Sequence, residues 1–241
     1  DFWLNAIALV REDNQCKLFH TWNANFYQER IARLQKIISQ EYIVLNPDCY
    51  DENWKIKEWA KLKANWKIAY LMKIINCLRR KQAKKHNNEI NILVKEILVF
   101  AWELISEEME FRNIRQSKEY RSLWKIIQFC TPWLLKSKIE ENVELTFVDK
   151  YNYRASQYNH LTNEYIKPKL SDRVKTIWEN KIQRDLYSAY LLLNHNEDLK
   201  AIDRKKCVKN FNTFLKNHNQ LISELKENWL TYPKSFWLDD F

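Results

Sequence analysis

Three acidic residues stand at positions where carboxylates could bind metal ions. Asp1 lies in a β-prone segment, Glu107 near the end of the segment ELISEEMEF, and Asp185 at the start of a late helical pattern. Carboxylates at a strand, a strand end and a helix start can converge on one pocket for Mg²⁺, which prefers hard oxygen ligands. Two such ions about 4 Å apart can activate a water and stabilise the leaving oxygen in phosphodiester cleavage.

The same acids have a simpler interpretation. The chain contains 31 Asp and Glu residues, and such residues are mostly solvated surface groups or helix caps. Asp185 could be an acidic residue that stabilises a helix N-terminus, and Asp149 either a fourth acid or a surface residue. Glu108 is easily confused with Glu107, because adjacent strand residues face opposite sides. Spacing alone therefore leaves both interpretations open.

The first half of the chain predicts a hairpin followed by helices. LNAIALVRED is apolar and β-prone, and CKLFHTW follows as its hairpin partner after a polar turn. Apolar residues recur at helical spacing over residues 25–40 and over most of residues 55–100. This stretch is a long helical insertion between the second strand and the later ones.

The second half alternates strands and helices. We predict strands over ELISEEMEF and VELTFVDKY, and helices over residues 118–137, over QRDLYSAYLLLN and over residues 204–227. Residues 151–182 are polar and predict irregular structure. Tyr187 and Tyr190 are expected in the core. The order of elements predicts a mixed α/β fold.

The charge of the chain favours a polyanionic partner. Its 40 Lys and Arg residues outnumber the acids, giving a net charge of +9, which suits nucleic acid. Lys181 and Arg184 flank Asp185 and could neutralise phosphates of a scissile strand. A dense basic run on the predicted insertion is either a phosphate-contacting surface or a solvated helix face: Arg79, Arg80, Lys81, Lys84 and Lys85.

Cysteine usage and hydropathy point to the cytoplasm. The five cysteines are scattered and form no C-x-x-C pair, which argues for a reducing compartment and against a disulfide framework. No stretch approaches the roughly 18 apolar residues of a membrane span, and no secretory signal opens the sequence. We expect a cytoplasmic, nucleoid-associated protein without a membrane partner; the sequence does not indicate its oligomeric state.

Several segments resemble TnpB-like (OrfB-type), transposon-encoded, RNA-guided endonucleases. The resemblance is most specific in YRASQYNHLTNEYIKPKLSDRVKTIWENKIQRDLYSAYLLLN. ELISEEMEFRNI resembles the second catalytic block of that family, and DFWLNAIALV resembles its first. NPDCYDENWKIK and RRKQAKKHNNEI resemble its middle region, so the resemblance covers essentially the whole chain.

The resemblance implies a fold, an activity and a domain organisation. It implies an RNase H-like (RuvC) mixed sheet that cleaves DNA under guidance by RNA with two Mg²⁺ ions. It assigns the catalytic and metal-binding roles to the three acids named above. It places the nuclease core at residues 1–24 and 101–195, interrupted by the helical insertion at 25–100 and by a loop at 151–182. Residues 196–241 are then a C-terminal helix and tail.

The sequence departs from this family in two respects. Many members carry a C-x-x-C…C-x-x-C zinc ribbon between the second and third acids, where this chain has SQYNHLTNEY and KTIWENK without cysteine. We therefore expect no zinc and interpret His160 as a hydrogen-bonding loop histidine. Members also have a preceding region that binds guide RNA and target duplex, so we expect a C-terminal fragment. The alternatives are a catalytically inactive nucleic-acid-binding or regulatory remnant, and a helical interaction protein.

The glycine content is anomalous. The chain has no glycine and eleven tryptophans, although turns need residues with positive φ, which glycine normally supplies. Trp3, Trp54, Trp124 and Trp178 fall where TnpB-like proteins tend to have glycine. One hypothesis is that the gene uses UGA for glycine and that this codon has been translated as tryptophan. The alternative is a degenerate, tryptophan-rich product.

Overall fold

The computed structural model describes residues 6–20, 26–58, 60–107, 132–169 and 172–227. The chain divides into two compact units, one of which comprises residues 23–89 and the other residues 1–22 together with 90–241. Residues 23–89 are called the helical unit, and residues 1–22 and 90–241 are called the α/β unit.

The strands of the α/β unit begin with an antiparallel hairpin. Strand β1 (Ala6–Val10) pairs with β2 (Cys16–His20), as the apolar, β-prone sequence predicts. Strand β3 (Glu103–Glu107) pairs in parallel with β4 (Glu144–Val148). Parallel pairing requires a crossover connection, and here residues 108–143 supply it.

Two short antiparallel hairpins lie where irregular structure was predicted. Strands β5 (Tyr158–Asn159) and β6 (Glu164–Tyr165) form the first, and β7 (Val174–Ile177) and β8 (Asn180–Gln183) form the second. The prediction for residues 151–182 was wrong because strands of two to four residues are too short for a visible alternation of apolar and polar residues.

The helices of the α/β unit cover the strands. They are α3 (Pro132–Glu140), α4 (Lys150–Tyr153), α5 (Arg184–Leu193) and α6 (Arg204–Glu227). The prediction for residues 118–137 therefore agrees with α3 only in its last part, because residues 118–131 lie outside the described residues. The predicted helices over QRDLYSAYLLLN and 204–227 are confirmed.

The core of the α/β unit lies on both sides of β1. Ala6 and Ala8 join a cluster that includes residues of α5 and α6, whereas Ile7 and Leu9 join a cluster built on α3 and the last turns of α2 (Trp66–Phe100). Alternate strand residues face opposite sides, so β1 has an apolar layer on each face. The predicted mixed α/β class is confirmed.

The helical unit is built from α1 (Gln28–Leu45), a 3₁₀ turn (Pro47–Cys49) and the first part of α2. Its core consists of apolar residues at helical spacing: Ile31, Ile38, Ile68, Ile75 and Leu78. Helix α2 begins at residue 66 and not near residue 55, because Asn65 Oδ1 accepts a hydrogen bond from Ile68 N (2.9 Å) and caps the helix. Among the described helices, none has the length and apolar composition that crossing a membrane would require.

Candidate functional site

The α/β unit brings together the elements that carry or follow the predicted acids. Glu107 is the last residue of β3, and Asp185 lies in the first turn of α5. Helix α5 contacts both β1 and β3. Asp1 and Glu108 lie outside the described residues. The structure therefore places Asp185 on a helix that packs against the strand ending at Glu107.

Glu107 is held in place by a distant backbone amide. Its Oε1 accepts a hydrogen bond from Ala155 N at 2.8 Å. Glu107 pairs with Val148 in the parallel register, so Asp149 follows β4 at the same edge of the sheet. Asp149 is exposed, and its Oδ1 accepts a hydrogen bond from Tyr151 N (2.8 Å) at the start of α4. Asp149 thus acts as a turn residue in this structure.

Asp185 is a buried carboxylate with polar neighbours on its own helix turn. The residue is 4% exposed. Its Oδ2 accepts a hydrogen bond from Gln183 Nε2 (3.2 Å), and its Oδ1 lies 3.6 Å from Arg184 Nε. Gln183 also caps the helix, since its Oε1 accepts a hydrogen bond from Leu186 N at 2.7 Å. These donors offset part of the cost of burying a charged group.

The two basic residues predicted beside Asp185 have different environments. Lys181 is exposed on β8. Arg184 is only 7% exposed, and its Nη1 donates to the carbonyl oxygens of Asp172 (2.7 Å) and Lys169 (3.3 Å). Arg184 therefore ties the segment before β7 to the start of α5. Lys181 is the one of the two that solvent reaches.

A complete metal centre is not formed by the described residues alone. Within residues 6–227, apart from the gaps in the description, no group of three or more His, Cys, Asp or Glu side chains could hold a metal ion. The predicted set also requires Asp1, which lies outside the described residues. Of the three predicted acids, Glu107 and Asp185 lie within the described residues.

His160, interpreted from the sequence as a hydrogen-bonding loop histidine, lies in a buried network beside α5 whose partners the sequence did not predict. His160 is fully buried, and its backbone N and ring Nδ1 lie 3.3 and 2.7 Å from the Tyr187 hydroxyl oxygen. The hydroxyl oxygen accepts a hydrogen bond from the backbone N–H, and its second hydrogen bond joins it to Nδ1, with a direction that is set by the tautomer of the ring. Burial, with the charges of Arg204 and Lys175, lowers the pKa of His160 to about 4.

Lys175 completes this network. Its Nζ donates to the Tyr158 carbonyl oxygen at 2.6 Å and lies 4.9 Å from the ring centroid of Tyr187. Burial, together with the charge of Arg184, lowers the pKa of Lys175 to about 8. Tyr187 and Tyr190 are fully buried, which confirms the prediction that they belong to the core.

A second buried histidine supports the cap of α5 from α6. His218 Nε2 accepts a hydrogen bond from Gln183 N (3.0 Å), and its Nδ1 lies 2.9 Å from Asn219 Oδ1. Nε2 must then be unprotonated, and Nδ1 carries the hydrogen. Burial lowers the pKa of His218. Gln183 is thus fixed by α6 while its side chain contacts Asp185.

The predicted basic run lies on α2 in the helical unit. All five side chains are exposed: Arg79, Arg80, Lys81, Lys84 and Lys85. Lys85 Nζ lies 3.5 Å from the ring centroid of Phe26, so an aromatic face orients one of these cations.

Comparison with known proteins assigns no family. No protein-family model matches the chain, and no curated protein matches it.

Proposed function

We propose that this chain is the RuvC-like nuclease part of a TnpB-like, transposon-encoded endonuclease that uses a guide RNA and Mg²⁺ to cleave DNA. The resemblance of its catalytic blocks to that family supports the proposal. One structural observation carries it further: α5, which begins beside Asp185, contacts β3, which ends at Glu107, and β1, which follows Asp1 in the chain.

Within the mixed α/β class, we propose that the strands belong to an RNase H-like sheet. An antiparallel hairpin (β1 and β2), a parallel strand pair (β3 and β4) and apolar layers on both faces of β1 are compatible with it. In α/β proteins, active sites form at the carboxyl ends of parallel strands. Glu107 lies at such an end.

The proposed chemistry rests on oxygen ligands. Asp1, Glu107 and Asp185 would hold Mg²⁺, which would activate water and stabilise the leaving oxygen. The Ala155 amide keeps Glu107 oriented, and Gln183 orients Asp185.

Nucleic-acid contact is assigned to the exposed cations. Lys181 stands four residues before Asp185 and would neutralise a phosphate of the strand being cut. The basic run of α2 would contact the backbone of DNA or guide RNA, since phosphate contacts supply most non-specific affinity. Arg184 has a structural role in the proposal, because its guanidinium is bonded to two backbone carbonyls.

The second candidate is a catalytically inactive nucleic-acid-binding remnant. The observation that favours it is the burial of Asp185 next to Arg184. Mg²⁺ keeps several waters when bound, so a buried, cation-paired carboxylate must become accessible before it can act as a ligand.

Metal binding separates the two candidates without knowledge of the guide. The full chain would be titrated with Mn²⁺, a spectroscopic substitute for Mg²⁺, and free Mn²⁺ measured by electron paramagnetic resonance. In the nuclease, Glu107→Gln and Asp185→Asn each weaken Mn²⁺ binding by at least about tenfold, because loss of even an outer-shell partner costs about 10- to 100-fold in metal affinity. Glu103→Gln is the matched control, because Glu103 is exposed at the other end of β3.

Circular dichroism of each variant would establish that the fold is kept. Equal Mn²⁺ binding by the wild type and all three variants would refute the metal site. DNA binding without Mn²⁺ binding would favour the remnant. Cleavage of DNA by the chain purified with co-expressed element RNA, abolished by Asp185→Asn, would establish the nuclease.

A further inference from the structure

The tryptophans occupy unusual places in this structure. Five of the eleven are described, and all five are exposed, from 45% for Trp133 to 85% for Trp102. Tryptophan is normally among the residues with the highest average burial. The apolar clusters of the described residues are built instead from Ile, Leu, Val, Ala, Phe, Tyr and Cys.

These tryptophans also share a position in the chain, at turns and helix ends. Two lie in turns, two lie in the first two residues of a helix, and one directly follows a helix C-terminus: Trp54, Trp178, Trp66, Trp133 and Trp102. After α2 ends, Ala101 N donates to the Ile97 carbonyl oxygen (2.8 Å), so Trp102 occupies the position after the cap. Glycine is favoured there when the residue is left-handed, but Trp102 does not have a positive φ.

Two of these residues have the backbone conformation that favours glycine. Trp54 has φ 58° and Trp178 has φ 53°. In this left-handed region a Cβ atom clashes with the backbone, and only glycine enters without penalty. Trp178 is the first residue of the two-residue turn between β7 and β8. Such hairpin turns call for Gly or Asn at this position.

The other residues with positive φ have explanations of their own. Asn14 and Asn163 are of the type that tolerates the left-handed region. Arg154 lies 4.3 Å from the ring centroid of Tyr165, and Leu199 packs against the core. Each therefore has a side-chain contact that offsets the cost of its left-handed backbone. Trp54 and Trp178 are 66% and 68% exposed, so burial offsets little of their backbone penalty, even though the Trp178 ring meets Phe211 edge-on at 6.1 Å.

We propose that the tryptophan positions are glycine positions, and that the cell inserts glycine at UGA codons there. The solvent exposure of the five residues, and the positive φ at Trp54 and Trp178, both follow from this one assignment. It also explains why a chain that needs turn residues has no glycine in its sequence. A binding surface made of exposed tryptophans would account for exposure but not for positive φ.

Peptide mass spectrometry of the chain purified from its native cells tests the proposal directly. Trypsin releases Thr176–Lys181, which contains Trp178, and Ile37–Lys55, which contains Trp54. We expect both peptides at the mass that glycine gives, and TGA codons at both positions in the gene. Asp185–Lys200 is the control peptide, since it contains no tryptophan. Indole-containing masses at both positions, or TGG codons, would overturn the proposal.

A recombinant comparison tests the backbone argument independently of the native source. In the chain with tryptophan, Trp178→Gly should raise the folding equilibrium constant by about tenfold, since the left-handed penalty is removed. Trp66→Gly is the control, because Trp66 is the first residue of a right-handed helix and should gain nothing. Equal effects at the two positions, or a loss at Trp178, would overturn the argument from φ.

Discussion

Replacement of His160 by glutamine should flatten the dependence of stability on pH below neutrality. The imidazole is fully buried, and its pKa is lowered from 6.5 to about 4 by burial and by the charges of Arg204 and Lys175. As the pH falls, the unfolded chain takes up the proton first. The stability associated with neutral His160 is therefore complete above pH 6.5 and is lost progressively as the pH falls towards about 4.

The size of this effect follows from the two proton affinities. One pKa unit corresponds to about 1.4 kcal/mol, so the difference for His160 corresponds to about 3 kcal/mol at most. At about pH 5, where the unfolded histidine is mostly protonated and the folded one mostly neutral, roughly 2 kcal/mol is already lost. His218 contributes with the same sign because burial also lowers its pKa, so the variant keeps some dependence on pH.

Urea unfolding at about pH 7.5 and about pH 5 would measure the effect. The wild type should lose roughly 2 kcal/mol more than His160→Gln between these two conditions. Leu161→Ala is the control, because Leu161 packs against the same core without titrating; it should lower stability equally at both pH values. If His160→Gln and the wild type lose the same free energy, the assignment of His160 as a buried neutral base is wrong.

Three further changes test the surroundings of Asp185 and the basic run. Gln183→Ala removes the acceptor for Leu186 N and a donor to Asp185, and urea unfolding should show a loss of about 1 to 3 kcal/mol. Arg184→Gln should cost about 3 kcal/mol in the same assay, yet raise Mn²⁺ affinity if Asp185 is a metal ligand. Changing the basic run of α2 to glutamine should weaken DNA binding in a fluorescence anisotropy assay and reduce the slope of log K against log salt by about 0.9 per lost phosphate contact. As the control, changing the same number of lysines on α6 to glutamine should reduce the slope less than changing the basic run of α2 does.

The parts of the fold that were predictable are those with long apolar patterns. The hairpin of β1 and β2 has apolar, β-prone runs joined by a polar turn, β4 is a similar β-prone run, and α5 and α6 have apolar residues at helical spacing. The hairpins within residues 151–182 have strands too short for a period. The start of α2 was missed because a single side chain, Asn65, decides where a helix begins within a longer apolar pattern.

For the site, residue types could be predicted but their partners could not. Glu107 and Asp185 stand at an element end and an element start, as the sequence indicated. The donor to Glu107 is the amide of Ala155, 48 positions away. Every residue except proline has a backbone N–H, so the sequence does not indicate which one binds Glu107. His160 and Tyr187 likewise meet across 27 positions, so their network depends on tertiary packing.

In the proposed nuclease, Arg184 and a metal ion would compete for Asp185. A buried carboxylate without a countercharge costs several kcal/mol, so a metal-free protein needs a cation in the place that Mg²⁺ would take. Arg184 supplies it, with Nε 3.6 Å from Asp185 Oδ1, while its Nη1 is bonded to the carbonyls of Lys169 and Asp172. In the proposed nuclease, metal binding would therefore be coupled to release of the segment before β7, because Arg184 contacts both that segment and Asp185. An active nuclease and an inactive remnant would share this resting arrangement, and they would differ in whether Mg²⁺ can displace the arginine.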